Sequence, residues 1–304
     1  MNHLTKQLEG KGQKGTYDYP YKLRDWITID KIDWFSLSMN PNAIHLIEKN
    51  IDKIDWSSLS ENLNSIHLLE KNIDKINWFK LSKNPNAIHL IEKYLDKIDW
   101  NQLSKNPNAI HILEKNVDKI DWCYLTMNPN AIPLLEKNID KIKWWLSFNP
   151  NAIHILEKNV DKIDWYYLSL NLNAIHILEK NIDKIKWHWL SLNPNAIHLL
   201  EKNLDKVNWC ILSLNPNAIH LLEKNVDEIN WFNLSSNPNA IPLIEQNLDK
   251  IIWNQLSLNP NIFELDYVFL RNRMDILREE LMMKAWHPSR VMKWVEDGYD
   301  MEDF

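Results

Sequence analysis

"NPNAIHLLEK" occupies Asn193–Lys202, and near-copies begin at Asn40, Asn84, Asn106, Asn128, Asn149, Asn215 and Asn237. Tryptophan sets the period of this phrase. Trp34, Trp56, Trp78, Trp100, Trp122 and Trp144 are followed by Trp165, Trp187, Trp209, Trp231 and Trp253. Every interval is 22 residues except the 21 from Trp144 to Trp165, where "WWLSFN" stands in place of "WCYLTMN". Self-similarity at a fixed period of this size marks a repeat architecture, which overrides the two-domain expectation that 304 residues would otherwise give.

Each unit reads N-P-N-A-I-H-L-L-E-K-N-I-D-K-I-D-W-x-x-L-S-x. The second asparagine is present in all eleven units, from Asn42 to Asn261. Asparagine suits a helix N-cap because its side-chain oxygen accepts an orphan backbone N–H of the first turn. A helix is therefore expected from the alanine through about two turns to the "EKN". Pro133 and Pro242 replace the usual histidine. With the second asparagine as cap they fall in the first turn, where no helical hydrogen bond is lost. The residue before tryptophan is Asp or Asn in eight of eleven units, which predicts a second, shorter helix carrying Trp and Leu on one face. A leucine-rich-type coil with "KIDW" as strand is the alternative for this period. The L-x-L-x-x-N signature it requires is absent, so the all-helical reading is preferred.

The expected fold is an all-α solenoid of about eleven helix–turn–short-helix repeats. Such short helices are stable only when stacked, and the two ends of an open stack need polar caps. The expected organisation is a flexible segment over residues 1–17, an N-terminal capping unit over 18–33, the repeats over 34–262 and a helical C-terminal cap over 263–304. In that last segment "DYVFLRNRMDILREELMMKAW" reads as one long helix and "HPSRVMKWVEDG" as a second, stopped by Gly298.

The repeat phrase, the lead-in "YKLRDWITIDKIDW" and the ending "LREELMMKAWHPSRVMKWVEDGYDMED" resemble a family of tandem-repeat proteins encoded by mimivirus-like giant DNA viruses. The likeness covers nearly all of residues 18–304. It implies a repeat protein acting in the cytoplasm of an infected host. It carries over no activity and no catalytic or ligand residue.

Composition narrows the chemistry. Hydrophobic residues make up 45% and charged residues 25%, a foldable and soluble balance. Four glycines leave little material for phosphate-cradling loops. No apolar run is long enough to span a bilayer, and Met1–Tyr21 lacks a signal-peptide core, so an intracellular location is expected. Cys123 and Cys210 lie four repeats apart, roughly 30–40 Å at the usual spacing of packed helices, too far for a disulfide.

The histidine column (His45, His67, His89, His111, His154, His176, His198, His220) is spaced too widely for a shared metal and is expected to pack or hydrogen-bond in the first helical turn. The Glu and Asp columns lie within a few residues of lysines and read as a solvated, charge-alternating face. No cofactor, metal or small-molecule substrate is expected, and no catalytic motif stands out. A nucleic-acid-binding solenoid is the alternative function, but a net charge of −6 without a basic stripe argues against it. The columns that vary within the chain are those free to carry function. From Cys123 to Ile211 they become aromatic and aliphatic. Tyr124, Trp145, Phe148, Tyr166, Tyr167, Leu170, Trp189 and Leu192 are the candidate surface for a protein partner.

Overall fold

The computed structural model describes residues 20–142 and 144–298. It divides into a repeat unit over Asp25–Ile262 and a flanking unit formed by the segments up to Arg24 and from Phe263.

The repeat unit is an all-α solenoid of eleven short helices, each beginning at the periodic tryptophan. A typical repeat runs through a 3-10 turn at Ile73–Lys75, a short helix at Trp78–Ser82, a 3-10 turn at Pro85–Ala87 and a longer helix at Ile88–Lys93. The short helices start where the sequence places them. Asp33, Asp55, Asn77, Asp99, Asp121, Asp164, Asn208 and Asn230 each accept a first-turn backbone N–H, the bond an N-cap supplies.

The cap of the longer helix is not the second asparagine. The first asparagine of Asn-Pro-Asn accepts the backbone N–H of the second, as Asn84 does from Asn86 at 3.0 Å. The α-helix begins only after the 3-10 turn, at the isoleucine. Both asparagines are constant because both reach the preceding repeat. Asn106 Nδ2, fully buried, donates to the carbonyls of Ser82 at 3.1 Å and Asn84 at 3.0 Å. Asn108 Nδ2 donates to Pro85 O at 3.0 Å. The resulting ladder fixes the register of each repeat on the last. It also satisfies backbone carbonyls that would otherwise be buried without donors.

The serine of "LS" forms a second ladder. Ser82 Oγ donates to Trp78 O and accepts the N–H of Asp99 in the next repeat. Between the ladders lie the fully buried Leu81, Leu103, Leu125, Leu168 and their equivalents, with the buried alanines and Ile/Leu of the longer helices. The periodic tryptophans, which sharing a helix face with leucine would place in the core, are half-buried in the ten repeats where their side chains are described. Nine of them present one ring face to a lysine of the neighbouring repeat, as Lys75 Nζ lies 4.5 Å from the Trp56 centroid and Lys119 Nζ 4.7 Å from Trp100; opposite Trp209 the column holds Glu228. An indole covered by a lysine stem and its ammonium gains a cation–π contact while its edge stays wet.

The stack is closed, not open. Asn40 Nδ2 donates to the carbonyls of Ser257 at 3.1 Å and Asn259 at 2.8 Å, and Asn42 Nδ2 donates to Pro260 O at 2.9 Å. Asp33 N–H donates to Ser257 Oγ at 3.0 Å, and Lys31 Nζ lies 4.9 Å from the Trp253 centroid. These are the bonds that join any repeat to its neighbour, now joining the first to the eleventh. Within the repeat unit there is thus no exposed terminal interface to cap, and the expectation of two capped ends is corrected. At the closure Trp26 Nε1 donates to Glu245 Oε1 at 2.9 Å, taking the place of a histidine.

In the repeat that is one residue short, Trp144–Phe148 is a 3-10 helix instead of an α-helix. The tighter coil absorbs the deletion. The ladder runs through it: Asn149 Nδ2 donates to Thr126 O at 3.0 Å and Asn128 O at 2.8 Å.

In the flanking unit, Tyr21–Leu23 pairs antiparallel with Phe263–Leu265, so residues 21–24 do not extend the repeats as the proposed 18–33 capping unit required. Lys22 and Arg24 both bridge to Glu264. Helices follow at Tyr267–Ala285 and Pro288–Glu296, close to the predicted limits, and Gly298 ends the second with φ of 90°. The flexible segment expected over 1–17 lies outside the described residues.

Candidate functional site

Because consecutive short helices pack directly on one another, residues in one column become neighbours across repeats. Tyr124 lies on the short helix Trp122–Leu125, Trp145 and Phe148 on Trp144–Phe148, Tyr166, Tyr167 and Leu170 on Trp165–Leu170, and Trp189 on Trp187–Leu190 with Leu192 just beyond it. The structure brings five of the eight into one chain of rings. Centroids are 5.6 Å apart for Tyr124–Trp145, 6.1 Å for Trp145–Tyr167, 5.1 Å for Tyr167–Tyr166 and 4.6 Å for Tyr166–Trp189. All pairs are tilted or edge-on, the geometry that aromatic quadrupoles favour, contributing about 0.5–1.5 kcal/mol each.

Tyr166 is exposed, and the other four rings are half-buried. They fill the seams between repeats on one side and present ring surface on the other. Phe148, Leu170 and Leu192 are half-buried too and lie one turn further along, outside the ring chain among the described residues.

Two residues at the ends of this chain had not been assigned to it. His188 stacks edge-on against Trp189 at 4.8 Å. Lys105 Nζ lies 3.9 Å above Tyr124, and burial, reinforced by the charge of Lys83, holds its pKa below the usual lysine value. The signal for Lys105 was its column, the one that also holds Phe148, read two repeats earlier. Lys83 and Lys80 continue from it, with Glu61 bridging both. The arrangement offers an aromatic platform with a cationic group at one end.

The histidine column is also a construction between repeats. His67 Nε2 lies 2.7 Å from Glu48 Oε1, and His111, His154, His176, His198 and His220 meet Glu92, Glu136, Glu157, Glu179 and Glu201 at 2.8–3.0 Å. The glutamates therefore face histidines of the next repeat, where adjacent lysines were expected as partners. The pairs are about half exposed, so each contributes little to stability. Among the described residues no group of three or more His, Cys, Asp or Glu side chains is placed to hold a metal ion, and no helix is long and apolar enough to cross a membrane. Comparison of the chain with protein-family models, with curated proteins and with solved structures gave no match.

Proposed function

We propose that the chain is a non-enzymatic scaffold that binds a protein partner, of the host or of a giant virus, across the short-helix surface from Tyr124 to Leu192. The observation that supports this reading is the continuous chain of Tyr124, Trp145, Tyr167, Tyr166 and Trp189 over four successive repeats. Aromatic side chains dominate the energetic centres of protein interfaces because they offer large contact area at small entropic cost. The rings here are also held by their neighbours, so little ordering remains for binding to impose.

The test is capture of a partner at moderate and at high salt, followed by titration of that purified partner. Changing Tyr166, Tyr167 and Trp189 together to Ser should weaken binding by about 30-fold or more, with the helical circular dichroism retained. Recovery of RNA or DNA with steep salt dependence, indifferent to the three changes, would overturn the proposal in favour of a nucleic-acid-binding solenoid.

A further inference from the structure

Two departures from the repeat meet at one joint. In the column that covers the tryptophans, Glu228 stands where the other ten repeats have lysine. Two residues before the tryptophan, Val207 stands where the other ten have isoleucine. Both line an open pocket of about 390 Å³. Val207, Asn208 and Trp209 form one side of it, and Glu228 and Ile229 of the next repeat form the other.

The other joints show what this one lacks. Nine indoles carry a lysine ammonium 4.5–5.6 Å from the ring centroid. Trp209 has neither a cation nor a second ring over its face among the described residues. Glu228 cannot replace the lysine, because a carboxylate is repelled by the negative face of an aromatic ring. Its side chain is exposed and has no ion pair among the described residues. The joint thus holds an indole without its cation beside a carboxylate without its counter-ion. Val207, one methylene smaller than isoleucine, adds to the space between them.

Both groups call for the same ligand. A primary ammonium is attracted to the ring face and can donate a charge-assisted hydrogen bond to the carboxylate. A quaternary ammonium has no hydrogen to donate, and its recognition relies on a cage of several rings where this pocket has one. An alkyl stem attached to the ammonium would lie against apolar surface, as the stems of the chain's own lysines do.

We infer that the pocket between Trp209 and Glu228 is a binding site for a primary alkylammonium group, carried by a lysine of a partner protein or by a free alkylamine. The incoming ammonium takes the position that the chain's own lysines fill at the other joints. Asn208 Nδ2 lies 2.9 Å from His188 Nδ1, so the pocket adjoins the end of the ring chain. The site nevertheless stands apart from the scaffold reading, because a small amine can occupy it without a partner.

The test is an NMR titration of the isotope-labelled full chain, read at its indole N–H signals. The Trp209 signal is the one lost in Trp209→Phe. The probes are N-acetyl-lysine methylamide and n-butylammonium. A saturable shift of the Trp209 signal is expected, with a Kd in the millimolar range and smaller shifts at the lysine-covered indoles. Tighter binding of the lysine amide assigns a protein side chain, and tighter binding of butylammonium assigns a free amine. The Nε-acetylated lysine amide, which carries no charge, should leave the signal in place. Glu228→Gln should weaken binding about two- to five-fold, the size of an exposed ion pair. Glu228→Lys, which supplies the missing ammonium from within the chain, should abolish it, and Asp227→Asn next door should leave it unchanged. No shift with either amine, an equal shift with the acetylated amide, or binding unchanged in Glu228→Lys overturns the assignment.

Discussion

The repeat that begins at Trp144 and the one that begins at Trp165 differ by one residue, and the structure divides the cost unevenly. The later repeat has an α-helix at Trp165–Leu170, capped by Asp164, with Leu168 fully buried and Lys184 over its indole. The earlier one has a 3-10 helix at Trp144–Phe148, with a cavity against the next repeat. Yet both asparagine ladders are intact: Asn171 Nδ2 donates to Ser147 O and Asn149 O at 3.0 and 2.9 Å, much as Asn149 does one repeat back. Register between repeats is therefore held by polar side chains on backbone carbonyls. Side-chain packing around the short helix can loosen without breaking it.

The largest expected effect tests that division. Asn171→Ala and Asn149→Ala each remove two donors to buried carbonyls and the acceptor for the next asparagine's N–H. Each should cost about 3–5 kcal/mol in denaturant unfolding, the sum of several unsatisfied buried groups. Equal losses support a uniform ladder, and a much milder Asn149→Ala would break the comparison. Packing should show the opposite asymmetry. Leu168→Ala should cost about 3–5 kcal/mol, and Leu146→Ala at least about 1 kcal/mol less, because Leu146 already borders empty space.

A smaller effect concerns the lysine column. Glu228 stands where the other ten repeats have lysine, one position of departure without a change of length. Glu228→Lys should bring an ammonium over Trp209 and raise stability by about 0.5–1 kcal/mol, read as a shift of the unfolding midpoint. The smallest concerns His45, whose pKa is lowered from 6.5, chiefly by burial, with the Asn42 hydrogen bond opposing. The unfolded chain then binds the proton first. Stability should fall as pH drops below about 6.5 and level off below the folded value. His45→Pro, matching Pro133 and Pro242 in the same column, should flatten that part of the profile. An unchanged slope would mean that His45 does not carry it.

Much of this was legible before any coordinates. The period, the helical class and the Asp/Asn caps of the short helices follow from local preferences that nothing in the fold opposes. The cap of the longer helix was misassigned because both asparagines satisfy the local rule. What separates Asn84 from Asn86 is a set of carbonyls about 22 residues away, which no local rule contains. Closure was out of reach for a related reason: it depends on a small rotation accumulated over eleven joints, and no one repeat states it. The aromatic column could be read as a surface because it varied while its neighbours did not. Its extension to Lys105 and His188 needed the lateral offset between repeats. The pocket at Trp209 had its trace in Val207 and Glu228, which mark a changed joint without showing that a ring face is left open.

The joint between Asn40 and Asn259 also bears on how such a chain could have grown. Tandem copies in an open stack can be gained or lost freely, since each new copy only lengthens the array. Here eleven similar joints complete one turn, roughly 33° apiece. A chain with one copy fewer would need roughly 36° at every joint to meet its own beginning, and every asparagine ladder would have to bend to provide it. Copy number is thus a selected dimension of the molecule. The one-residue deletion at Trp144 is the kind of change the circle can absorb, because it alters the filling of a repeat and leaves the angle between repeats to the ladder.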